Sequence, residues 1–109
     1  MNTDTTNELY ALEKVRFIIK DACDIDVAYA YEDLVFSEHG LFIIQFLDKA
    51  GNDLACWFNS ECIEQNKVAM FNSLAKTATL NNSNISYKGK FEMKQKDGSE
   101  EIDIQFESI

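Results

Sequence analysis

The chain contains no proline, a single histidine, and only four glycines in 109 residues. Without proline there is no cis-proline switch and no proline-rich linker or ligand segment. One histidine, His39, rules out any site built on two imidazoles. The glycines Gly40, Gly51, Gly89 and Gly98 are isolated, so no glycine-rich loop is available to cradle a phosphate. Cys23, Cys56 and Cys62 are odd in number, and none of them forms a Cys-x-x-Cys pair. No apolar run approaches the roughly 18 residues that a membrane helix needs. The first residues, Met1 to Thr6, carry neither the positive charge nor the apolar stretch of a signal peptide, so the expected location is cytoplasmic.

The material for a core is plentiful. Hydrophobic residues make up 46% and aromatics 12%, including eight phenylalanines, which predicts one globular domain spanning residues 1–109. The net charge of −9 is unevenly placed. Residues 1–66 hold thirteen acids against four bases, whereas residues 67–109 are balanced. From Asp21 to Glu38 six acids occur with no base between them. A field of that sign repels nucleic acid and anionic membrane and favours basic partners.

Thr5 to Glu8 has the form of a capping box. The helix it opens extends to about Ala22, with Leu9, Leu12, Val15, Ile19 and Ala22 as its inward stripe, widened by Tyr10, Phe17 and Ile18. Val27, Tyr29 and Tyr31 alternate with alanines in a short strand, and Leu34–Ser37 forms a second. Glu38-His39-Gly40 reads as a tight turn. Leu41–Leu47 is apolar on both sides, as in a central strand, and Lys49–Asn52 is a hairpin loop leading to a fourth strand over Leu54–Phe58. Asn59 or Ser60 can cap a second helix, with Ile63, Met70, Phe71, Leu74 and Ala78 inward. Asn81–Asn84 is a polar loop.

The last segment is a hairpin. Ile85, Tyr87, Gly89, Phe91 and Met93 alternate with polar residues up to Asp97-Gly98, and Ile102, Ile104 and Phe106 alternate after it. Pairing Lys96 with Ser99 sets Met93 opposite Ile102, Phe91 opposite Ile104, and Gly89 opposite Phe106. It also sets Lys94 opposite Glu101 and Lys88 opposite Glu107. A charge ladder of this kind accounts for the lysines without nucleic acid, because they and the neighbouring aromatics point to opposite faces.

The predicted fold is α+β: a single, mostly antiparallel curved sheet of about six strands with two helices on one face, in the order α-β-β-β-β-α-β-β. That order, in a small acidic chain, resembles the secretion-chaperone fold, in which dimers hold a client's unfolded segment. The last strands are followed here by no third helix.

Chemistry is sparse. His39 lies in a turn with no nucleophile motif near it. Cys23 sits among acids and Cys56 in an apolar strand, while Cys62 falls in the expected first turn of a helix, opposed by Glu61 and Glu64. Asp24-Ile25-Asp26 fails as a calcium loop, since the positions that need oxygen, glycine and glutamate hold Ala28, Tyr29 and Val35. No catalytic residue, cofactor or metal ligand is assigned.

The expected function is therefore a non-enzymatic protein-binding module of adaptor, chaperone-like, or inhibitor and immunity type. It would use an apolar sheet face and the acidic N-terminal half to hold a protein partner, with a basic one favoured and a homodimer expected. The candidate binding residues are Tyr29, Tyr31, Asp33, Leu41, Ile43, Leu47 and Trp57, with Leu41, Ile43 and Leu47 sharing the uncovered side of their strand. The alternative is a small-ligand-binding domain or small enzyme with a pocket between the sheet and the N-terminal helix, lined by Tyr29, Tyr31, Phe36 and Trp57.

Overall fold

The computed structural model describes residues 3–95, 97–98 and 101–109, with side chains from Tyr10 onward. Helix α1 (Thr3–Cys23) leads into strands β1 (Val27–Tyr31) and β2 (Leu34–Ser37). A 3₁₀ turn (Glu38–Gly40), β3 (Phe42–Phe46) and β4 (Asp53–Asn59) follow. Helix α2 (Glu64–Leu80) then precedes β5 (Asn84–Gln95) and β6 (Ile102–Ser108). The two helices and the curved six-strand sheet form the expected α+β arrangement. Spatial order follows chain order from β1 to β6, and every neighbouring pair is antiparallel except β4–β5. That pair is parallel because α2 carries the chain back along the sheet before β5 begins, the connection a parallel neighbour requires.

The main core lies between the helices and one sheet face. Val15, Ile18 and Ile19 of α1 and Leu74 and Ala78 of α2 meet Val35, Phe42, Ile44, Leu54, Cys56, Phe58 and Ile85 from the strands. Side chains on alternate strand positions turn to the other face, where Phe36, Ile43 and Phe91 form a second, smaller cluster. The β3 segment is apolar on both sides for this reason.

Three loops are fastened locally. The Asp48 carboxylate accepts from the amides of Gly51 and Asn52 at 2.9 Å, closing the β3–β4 turn. Gly51 there adopts φ +78 against Ala11, a close approach that suits glycine. Ser37 Oγ accepts from the Phe42 amide at 3.0 Å across the 3₁₀ turn, where exposed His39 takes a left-handed conformation. Ser83 Oγ donates to the Gly51 carbonyl at 2.7 Å and ties the α2–β5 loop to the β3–β4 turn.

Several expectations need correction. Helix α1 starts at Thr3, so Thr5 lies inside it; the side chains of Thr5, Glu8 and Leu9 lie outside the described ones. Tyr10 and Phe17 do not widen the buried stripe: they are 70% and 56% exposed, because in a two-layer fold only one side of α1 has a sheet beneath it. Asn59 caps the turn before α2 instead of the helix, accepting from the Glu61 amide and donating to the Gly40 carbonyl. Helix α2 begins at Glu64 after an exposed Ile63 at the N-cap, so Cys62 precedes the helix.

The C-terminal hairpin is displaced by two residues from the expected register. Phe91 pairs with Phe106, Met93 with Ile104, and Gly89 with Ser108; Lys94 faces Asp103, and Gln95 pairs with Ile102. Lys90, not Lys88, meets Glu107, at 3.5 Å, and Lys94 contacts Glu92 at the same distance. A slip of two leaves every side chain on its own face, so the alternation alone did not separate the two registers. The Lys96–Ser99 pair lies outside the described residues.

Candidate functional site

The sheet face away from the helices carries an aromatic band that begins on β1. Tyr31 pairs with Leu34 and Tyr29 with Phe36, so both tyrosines share the face of the second cluster. Val27 instead packs against the main core, because an irregularity between Val27 and Tyr29 breaks the alternation. Tyr29 stacks on Phe36 with centroids 4.3 Å apart and planes 13° from parallel. Phe36 pairs with Ile43 on β3, and Ile43 with Trp57 on β4. Trp57 meets Phe106 of β6 edge-on at 4.8 Å.

Phe91 reaches this face through a bulge in β5. Cys56 pairs with Tyr87, but the next residue, Trp57, pairs with Gly89, which leaves Lys88 as the extra residue. Tyr87, before the bulge, packs against Phe58 and Phe71 on the helix side. Phe91, after it, packs with Phe36 and Ile43 on the open side. The expectation that Ile85, Tyr87, Phe91 and Met93 share one face fails at this point. Strict alternation hid the bulge; Gly89 within a strand was the signal that could have located it.

A polar relay crosses the same face. The Trp57 indole N–H donates to Gln45 Oε1 at 3.1 Å, and Gln45 Nε2 donates to Asp33 Oδ2 at 2.9 Å. The relay fixes the tilt of the indole and ties β4 and β3 to the β1–β2 turn. Ile43, Phe36 and Phe91 are almost fully covered by the partly buried Leu34, Trp57 and Ile104 around them. Tyr29, Tyr31, Met93 and Phe106 stay between 42% and 63% exposed.

Of the seven residues singled out from the sequence, Tyr29, Tyr31, Asp33, Ile43 and Trp57 come together on this face. Leu41 and Leu47 do not join them. Leu41 precedes β3 in a helical backbone conformation, which ends the alternation, and it packs against the main core. Leu47 lies beyond β3, half exposed. Gln45, Phe91, Met93, Ile104 and Phe106 belong to the face and were not anticipated there.

Tyr29, Tyr31, Phe36 and Trp57 therefore cannot line a pocket beneath α1, where the main core is packed. A shallow cleft of about 390 Å³ lies elsewhere, between Tyr10 and Lys14 of α1 and the loops at Ala50, Asn52, Asn81 and Asn82. Burial pushes the Cys56 thiol strongly up, with Cys23 adding to the effect, and burial raises Cys23 as well. Both are neutral thiols at physiological pH and poor nucleophiles. Among the described residues no group of three or more His, Cys, Asp or Glu is arranged to hold a metal ion. No helix among them is long and apolar enough to cross a membrane. The chain matches no protein family, no curated protein and no solved structure.

Proposed function

We propose that this protein is a non-enzymatic protein-binding module of the cytoplasm, whose contact surface is the open aromatic face of the sheet. One observation carries the reading. Tyr29, Tyr31, Met93 and Phe106 remain half exposed around a sealed apolar centre, on a face with no helix over it among the described residues. Tyr and Trp on a rigid support give large contact area at low entropic cost, the composition of binding hot spots. The Trp57–Gln45–Asp33 relay holds part of that surface in a fixed arrangement before any partner arrives. The location fits three cysteines that are all free.

The partner is another protein or a second copy of the chain. Affinity capture from the native organism, run in parallel with wild type and a Tyr29→Ser/Phe106→Ser variant, tests the reading, with native mass spectrometry reporting the oligomeric state. The expected result is a dimer or a captured protein that the variant loses while keeping its fold. A wild-type monomer that captures the same proteins as the variant sinks the proposal.

A further inference from the structure

The sheet has two outer strands, and their chemistry differs. Strand β6 alternates apolar side chains with Asp103 and Glu107, and those acids lie opposite Lys94 and Lys90 of β5. Charged side chains along an outer strand discourage further pairing, and here each acid already faces a base. Strand β1 is Val-Ala-Tyr-Ala-Tyr, with no charge in it and every residue after Val27 exposed. Among the described residues no strand lies beside its outer edge, so past the irregularity between Val27 and Tyr29 the outward backbone N–H and C=O groups of Tyr29–Tyr31 have no strand partner.

Acids stand at both ends of this uncharged edge. Asp24 and Asp26 precede it, sharing Lys20 at 3.4 and 3.7 Å. Glu32 and Asp33 follow it in the hairpin turn, where Gln45 is the hydrogen-bond partner of Asp33. This placement decides what can pair there. Two copies of β1 joined antiparallel would bring Asp24 and Asp26 against Glu32 and Asp33; joined parallel, each acidic pair would meet its own copy. Both arrangements oppose like charges, so a second copy is disfavoured at this edge.

We infer that the outer edge of β1 accepts an extended, basic segment of another protein as a seventh strand. The inference rests on the protein-binding reading above and specifies the partner's chemistry. Main-chain hydrogen bonds to β1 supply attachment, and alternate side chains of the added strand lie beside Tyr29 and Tyr31 on the aromatic face. Lysine or arginine at both ends of the segment meets the acidic turns. At about 3.3 Å per residue, a segment of roughly nine residues spans β1 and both turns.

The test uses the full chain and a displayed library of random twelve-residue peptides, selected at low salt. Peptides expected to emerge carry basic residues flanking an uncharged, alternating centre. A synthetic copy should slow amide hydrogen exchange over residues 28–31, weaken as salt rises, and lose ~10-fold in affinity against Glu32→Lys. Glu32 is exposed, so that variant keeps its fold. Peptides that protect Trp57 and Phe106 but not β1, or that bind Glu32→Lys equally well, overturn strand addition and leave the protein-binding reading standing. Absence of any selected peptide also overturns strand addition; the protein-binding reading is then decided separately by the capture comparison with Tyr29→Ser/Phe106→Ser.

Discussion

Tyr87 and Phe91 lie four residues apart on one strand and face opposite sides of the sheet. Tyr87 meets Phe58 and Phe71 under the helices, whereas Phe91 joins Phe36 and Ile43 on the open side. The Lys88 bulge between them divides β5 into two functional halves: the first closes the main core, and the second builds the aromatic face. If the same residues ran on in regular pairing, with Lys88 opposite Trp57, Phe91 and Met93 would turn towards the helix side, and Lys90 and Glu92 would take their place on the open face.

Gly89, beside the bulge, leaves no room for a side chain. A Cβ placed there would come within 3 Å of three backbone atoms of Glu107 and Ser108, which have no flexible side chain to yield. Gly89→Ala should therefore cost about 2–3 kcal/mol, the range of overpacking against an unyielding neighbour. Gly98→Ala meets open space and pays mainly for its positive φ, about 1 kcal/mol. Urea unfolding of the two variants measures the difference. Equal losses would mean that β6 does not approach Gly89 this closely.

Phe91 is 1% exposed, and its neighbour Lys90 makes only a solvent-exposed ion pair with Glu107. Phe91→Ala should cost about 3 kcal/mol and alter the emission of Trp57, which packs against the same cluster. Lys90→Ala should change stability by less than about 1 kcal/mol and leave the emission alone. Chemical denaturation followed by tryptophan fluorescence reads both quantities. A silent Phe91→Ala would remove the second cluster as a source of stability.

The order of elements was legible because each carries its own local mark. The double-sided apolar run at Phe42–Phe46 announced a central strand, and Asp97-Gly98 announced a hairpin. What alternation cannot express is a change of phase or an even displacement. The extra residue at Lys88 reverses faces without altering the pattern of residue types, and the two-residue shift opposite Phe91 alters no face at all. The candidate face was thus half visible. Tyr29, Tyr31, Ile43 and Trp57 could be read from their strands, whereas Phe91 and Phe106 arrive through pairing between strands distant from β1.

Ser37 is 3% exposed and satisfies the amide of Phe42, where the chain enters β3. Ser37→Ala leaves that buried N–H without its acceptor and should cost about 1–3 kcal/mol. Amide exchange at Phe42 should accelerate more than exchange at Ile44 in the same strand. Uniform acceleration along β3 would indicate a global loss of stability in place of a local one.

Cys56 supplies a pH dependence whose sign can be worked out. Burial holds its thiol protonated in the folded chain, while the unfolded thiol ionises near its ordinary value of 9.0. Above that pH the unfolded state binds fewer protons than the folded one, so stability falls as pH rises. The limiting slope is about 1.4 kcal/mol per pH unit for one thiol. Below about pH 8 both states keep the proton and the contribution is flat. Urea midpoints measured between pH 7 and 10 should show this alkaline loss in wild type and a shallower one in Cys56→Ala, even though the variant starts from lower stability because it leaves a small cavity. Identical slopes would show that Cys56 is not the group responsible. Thiol labelling gives an independent reading: Cys56 should react only as the chain unfolds, with a rate that follows the denaturant curve, because its side chain is fully buried in the core between the helices and the sheet.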